Sequence, residues 1–171
     1  MGGVQIRGER TGDRRSIRQL LCSAFPTDAE AKLVEALRAS RMLTLSLVAL
    51  HNEDLVGYIA FSPVVLWSGT RPRSGIGLAP LAVAPAHQQQ GIGGDLVRSG
   101  LHLLASTKQP FCVVLGHSTY YPRHGFVKAA TLNIRWEKPG SEDVFFVREL
   151  VPGALDGSSG VVRYSSEFDS L

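Results

Sequence analysis

Gln88, Gly91 and Gly93 have the types and the spacing to hold an anion. They follow the apolar run Leu78-Ala79-Pro80-Leu81-Ala82-Val83-Ala84. They precede a segment in which Ile92, Leu96, Val97, Leu101 and Leu104 fall mostly three or four residues apart, the pattern of a helix with one apolar side. A helix that begins inside glycines presents the unpaired N–H groups of its first turn and the positive end of its dipole. Glycines also let a phosphate come close to the backbone. The spacing fits an anion cradle, and the glycines by themselves fit equally a turn that closes a strand–helix unit. A dinucleotide fingerprint starting at Gly91 would need glycine where Leu96 stands, and a P-loop needs a Gly-Lys pair that these loops lack. Gly116-His117-Ser118-Thr119-Tyr120 has the outline of a nucleophile elbow, with Tyr120 in place of the last glycine. The only histidine after it, His124, is too close to be a separate triad partner.

The elements that must carry these residues alternate between strand and helix. Val4 to Arg7 reads as a first strand. Asp13 caps a helix reaching about Phe25, and Asp28 starts a second that reaches about Ser40. Residues 43–50 and 55–66 form a β-hairpin across Asn52-Glu53-Asp54, with Gly57 marking a bulge or a close backbone contact. Residues 67–77, rich in Gly, Ser, Pro and Arg, read as a loop into the central strand. Phe111 to Leu115 is a buried strand, and a helical turn carries Tyr120 and Tyr121, with Gly125 as its left-handed cap. Residues 132–136 and 144–150 alternate as further strands, and 160–164 form a possible edge strand. The expectation is one domain over 1–171, with its core in 4–150 and mainly turns in 151–171.

Composition bounds the function. With 44% hydrophobic and 19% charged residues the chain is of the soluble globular kind. It has no run that could span a bilayer and no secretory start, so no membrane association and a cytoplasmic location are expected. The net charge is +3, and the positives are scattered, unlike a nucleic-acid footprint. Cys22 and Cys112 sit among apolar neighbours and read as reduced core residues. No His or Cys spacing suggests a metal.

The order Gln88-x-x-Gly91-x-Gly93 after a strand and before a helix resembles the coenzyme-A-binding signature of the GNAT superfamily of N-acetyltransferases. Tyr121-Pro122-Arg123-His124-Gly125-Phe126 resembles that family's second signature. Residues 79–85, Val114-Leu115-Gly116-His117 and Tyr120-Tyr121 look most like its bacterial YhbS-like subgroup. The resemblance implies an α/β fold with a mixed central sheet, strands 4 and 5 splayed apart, and about four flanking helices. It implies transfer of an acetyl group from acetyl-CoA to a primary amine of a small molecule, peptide or protein by direct attack on the thioester. The chain would act as monomer or homodimer. The alternative within the same fold is a non-catalytic sensor or interaction module that binds CoA.

The family's coenzyme-binding positions fall on Leu81, Ala82 and Val83 for the pantetheine arm and on Gln88, Gln89, Gln90, Gly91, Ile92, Gly93 and Gly94 for the pyrophosphate. Its acid position falls on Tyr121. A free phenol titrates at about 10 and a thiol at about 8.5, so a tyrosine proton is expected to move to a nascent thiolate without a strong tuning environment. Many members carry a glutamate on the fourth strand, but residues 78–84 here contain no ionisable side chain. His117 is then the nearest base by position, and a structural hydrogen-bonding role suits it as well. The first two helices wall the acceptor site in that family, which makes Glu30 a candidate acceptor contact, and Tyr120, beside the acid position, is a candidate for the pocket wall.

Overall fold

The structure, a computed structural model, describes residues 3–171. In order the elements are β1 (Val4–Gly8), α1 (Arg14–Ala24), α2 (Ala29–Ala39), β2 (Leu45–His51), β3 (Asp54–Ser68), β4 (Arg71–Val83), α3 (Ile92–Ser106), β5 (Phe111–Leu115), β6 (Val127–Lys128), β7 (Ile134–Trp136), β8 (Phe145–Glu149) and β9 (Gly160–Tyr164). This is an α/β fold with a mixed sheet. Three α-helices form among the described residues, not about four. After β5 the chain winds only a 3-10 turn, Tyr121–His124, which Gly125 closes with φ 79°.

The chain divides into two compact units. The first holds residues up to Phe61 with Pro80–Gly100 and Glu167–Leu171, and the second holds Ser62–Ala79 with Leu101–Ser166. In the first, β2 pairs antiparallel with β1 and with β3. Ile17, Leu20 and Leu21 of α1 and Ala31 and Val34 of α2 pack with Val48, Tyr58, Ala60 and Ala82 of the strands. The β2–β3 turn is two residues long, and Asn52 and Glu53 take φ of 50° and 70°, as the twist of a tight hairpin demands. Ala49 faces Gly57 while Leu50 faces Leu55, so Val56 is an extra residue in a bulge. A Cβ on Gly57 would lie 2.9 Å from Leu96 Cδ1 and 3.1 Å from Ile92 Cγ2, so the start of α3 sits directly on this glycine. Both readings of Gly57 therefore hold.

Two polar clusters tie the first unit together. Asp13 accepts both guanidinium nitrogens of Arg7 at 2.7 and 2.9 Å and the Arg10 N–H at 2.7 Å. It closes the short turn before α1 and does not cap the helix by a side-chain bond. The Arg7 hydrogen bond holds its carboxyl below the usual range. Glu9 accepts Arg38 at 2.6 and 3.0 Å on one oxygen, and the Ser46 and Tyr58 hydroxyls at 2.8 and 3.1 Å on the other. Burial, then the neighbouring Glu9 charge, pushes the Tyr58 phenol up.

In the second unit β4 and β5 pair in parallel only at Ile76–Cys112 and Gly77–Val113, whereas β5 pairs antiparallel with β8 along its whole length. β8 also pairs with β6. Val64, Leu66, Phe111, Val113, Phe145, Val147 and Val162 form the core.

Three expectations are corrected. Residues 67–77 are mostly strand: β3 runs to Ser68 and β4 starts at Arg71, with Gly69 at φ 63° in the turn between them. The glycines that suggested a loop make room for rings, since a Cβ on Gly75 would strike Phe111 and one on Gly77 would come 2.6 Å from Tyr164 Cε1. β9 is not an edge strand. It pairs antiparallel with β3 and parallel with β7, and Val162 is fully buried. Cys112 is buried as read, but Cys22 lies on the exposed side of α1. No helix of the described residues is long and apolar enough to cross a membrane.

Gly57→Ala should cost about 1–3 kcal/mol through overpacking against Ile92 and Leu96. The fall in thermal midpoint measures it, and an unchanged midpoint would show that α3 yields freely.

Candidate functional site

The residues expected to form an anion cradle lie wholly in the first unit. β4 ends at Val83, Pro85–His87 forms one 3-10 turn, and α3 begins at Ile92. The glutamines explain how the loop between keeps its shape. Gln88 Nε2 donates to the Val83 carbonyl at 3.1 Å, and Gln90 Nε2 donates to the Ala86 carbonyl at 3.3 Å. Gln89 and Gly91 take φ of 60° and 87°, and a Cβ on Gly91 would meet nothing within 4 Å. The space above Gly91 is therefore open, and its backbone conformation suits glycine.

The backbone N–H groups decide what the loop can do. The Gln88 N–H turns back to the Pro85 carbonyl at 3.4 Å, and the Asp95 N–H opens the helical ladder by donating to Gly91 at 3.0 Å. Among the described residues the six N–H groups of Gln89, Gln90, Gly91, Ile92, Gly93 and Gly94 have no acceptor. Such a run at the positive end of a 15-residue helix has the charge and the donors to receive an anion. Asp95, the one acid of the first turn, is paired with Arg98. Of the arm-binding candidates, Ala82 faces the core, while Leu81 and Val83 alternate to the other side and are half-buried.

Tyr121 lies in the second unit, at the head of its 3-10 turn, and is 7% exposed. Its ring meets those of Tyr120 at 5.1 Å, Phe126 at 5.6 Å and Phe146 at 6.5 Å. Gly116 makes the space, because a Cβ there would overlap the Tyr121 ring. Among the described residues the Tyr121 hydroxyl has no hydrogen-bond partner. Burial above all, with Tyr120 and Cys112 adding, pushes the phenol up. Tyr121 thus holds its proton throughout the neutral range.

The remaining candidates are placed differently. Tyr120 is half-buried between Tyr121 and His124, its ring 5.1 Å from each. His117 is exposed just past β5; its carbonyl accepts the Tyr120 N–H at 3.1 Å, and its imidazole contacts no titratable group among the described residues. Ser118 is exposed in the same turn, with no histidine bonded to it. On α2 the acids differ. Asp28 is paired with Lys32 and Glu35 with Arg18, but Glu30 Oε2 is buried without a partner. Sequence reasoning missed Gly116 as the space for Tyr121 and missed Arg148, whose Nη1 bonds the His124 carbonyl behind it at 2.6 Å. The signal for Arg148 was a cation continuing the apolar run Phe145-Phe146-Val147.

Residues 43–128 match the acetyltransferase (GNAT) domain. The chain is 41% identical to the N-acetyltransferase YhbS of Escherichia coli over 165 residues, 96% of this chain and 98% of that one. The crystal structure of E. coli YhbS in complex with CoA has a TM-score of 0.94 at 39% identity, covering 99% of this chain and 93% of that one. That of a GNAT family acetyltransferase from Brucella melitensis with acetyl-CoA has a TM-score of 0.81 at 36% identity, covering 99% and 100%.

Ultraviolet titration of the parent minus Tyr121→Phe should place the Tyr121 phenol above the free value of about 10. A midpoint at or below that value would contradict its enclosure.

Proposed function

The chain belongs to the GNAT family of acetyltransferases, and from that premise we propose that it moves an acetyl group from acetyl-CoA to a primary amine of a small molecule, peptide or protein by direct attack, in the cytoplasm. The observation that carries this reading is the run of six unbonded N–H groups from Gln89 to Gly94 at the start of α3. It fits a diphosphate in charge, and the open space over Gly91 leaves the backbone there approachable. Bound acetyl-CoA supplies the activated acetyl group. The backbone of Gln89 to Gly94 holds the diphosphate, and β4 at Leu81 and Val83 holds the arm between phosphate and sulfur.

Tyr121 serves as the acid. The raised phenol keeps its proton on Oη at neutral pH, and because a thiol titrates at about 8.5, donation to the leaving thiolate runs uphill until bound coenzyme and acceptor bring the phenol down. Because the folded value is raised, the donor form persists as pH climbs past the free-tyrosine value. Loss of activity on the alkaline side below about 10 would have to come from another group. His117, exposed beside the Tyr121 turn, takes the acceptor's proton.

Glu30 holds the acceptor. A buried carboxylate oxygen without a partner is costly. An ammonium or other cationic group brought by the acceptor removes that cost, whereas the half-exposed Asp28 and Glu35 already have Lys32 and Arg18. Tyr120 is a further acceptor contact, next in the chain to Tyr121.

Tyr121→Phe should lower kcat about 10- to 100-fold while CoA affinity, read by calorimetry, stays near the parent's. Full turnover in that variant removes Tyr121 from the acid role. Gly91→Asp adds a negative charge and a side chain at φ 87° and should weaken CoA binding more than about tenfold. If Gly91→Asp binds CoA as the parent does, the cradle is elsewhere.

A further inference from the structure

Arg148 is a charged residue of the second unit to which the proposed chemistry gives no task. It stands on β8 opposite Cys112 of β5, half-buried, and among the described residues it makes no ion pair. Its Nη1 donates to the His124 carbonyl at 2.6 Å, at the end of the turn that starts with Tyr121. The same guanidinium lies against Gly125: a Cβ there would be 3.3 Å from Arg148 Nε and 3.4 Å from Cζ. Phe146, two residues earlier and so on the same face of β8, sets its ring 6.5 Å from that of Tyr121. β8 therefore holds this turn at both ends, by an aromatic ring at the head and by a cation at the tail.

A cation suits the tail. The last carbonyls of a helical turn lack partners within it, and a charge-assisted bond from a planar guanidinium is shorter and more directional than a neutral one. The connection to Tyr121 is mechanical, through the hydrogen bond to the His124 carbonyl at the end of its turn. Gly116 and Phe126 enclose the ring, which leaves its distance along the turn to be set by where the turn ends.

We propose that Arg148 is a positioning residue for the transfer reaction: by pinning the His124 carbonyl it fixes the place of the Tyr121 hydroxyl, and so governs turnover without touching coenzyme or acceptor. This rests on Tyr121 being the acid. Small displacements of a reacting group are costly, and Arg148→Met, which keeps the aliphatic stem, should lower kcat about tenfold. KM for acetyl-CoA should stay within about twofold. Arg148→Lys, which keeps a donor and the charge, should recover part of the loss. Placed on Tyr121→Phe, Arg148→Met should lower kcat no further, because the group it positions is already gone.

A readout independent of activity is the fluorine resonance of 3-fluorotyrosine placed at position 121. It should be one narrow line in the parent and shifted or broadened in Arg148→Met and, less so, in Arg148→Lys, with the thermal midpoint recorded for each. Should Arg148→Met fail to fold, the lysine variant alone decides. An unmoved line with full turnover overturns the inference and leaves the acid role of Tyr121 intact, as do additive losses in the double variant. Full turnover in Tyr121→Phe removes the acid role and the inference with it.

Discussion

The close approach of α3 to the sheet at Gly57 is the constraint on which the cradle depends. Six backbone donors cannot stay unpaired on a loop that is free to move, because such a loop would fold back and satisfy them itself. Here Ile92 and Leu96 are seated on a position without a side chain, and that fixes where the helix begins. Upstream, Gln88 and Gln90 spend their side-chain amides on carbonyls of the loop's own backbone. The loop is held by side chains, and its main-chain donors remain turned outward. A bulge at Val56, the side chains of two glutamines and two residues with positive φ thus act together to shape the loop.

Tyr121 is held by the opposite strategy. Its ring is packed from several sides, its space is made by a missing Cβ at Gly116, and only its hydroxyl is left without a partner. Burial raises the phenol, which makes it a poorer acid in equilibrium terms and a dependable source of a proton at neutral pH. A freely solvated tyrosine would titrate earlier but would not stay in one place. The packing of Tyr121 trades acidity for position.

The sequence carried the parts whose pattern is local. The start of α3 at the glycines, the hairpin at Asn52-Glu53, the buried strand Phe111–Leu115 and the left-handed Gly125 each follow from residues adjacent in the chain, and each is present. Where the reading failed, a distant partner decided the outcome. Residues 71–77 look like a loop because Arg71, Arg73 and Ser74 face solvent and two glycines lie close together, yet those glycines admit Phe111 and Tyr164 from far along the chain. β9 looked like an edge because nothing near residues 160–164 reveals that β3 and β7 flank it. Asp13 has the type and place of a helix cap, and Arg7 takes it first. Within the site, Gln88 to Gly94 and Tyr121 were legible as motifs. The exposure of His117, the orphaned oxygen of Glu30 and the hold of Arg148 on the turn were not, since each is a fact of neighbours in space.

The carboxylate of Glu9 draws donors from α2, β2 and β3 at once. Removing one donor leaves a buried charge short of a partner, whereas replacing the whole set by apolar groups of similar volume leaves nothing to satisfy. Positions 9, 38, 46 and 58 are therefore coupled energetically. Among distant descendants of this chain they should be kept or lost as a block, and a lineage that has exchanged one of them should carry its counterpart change at the others.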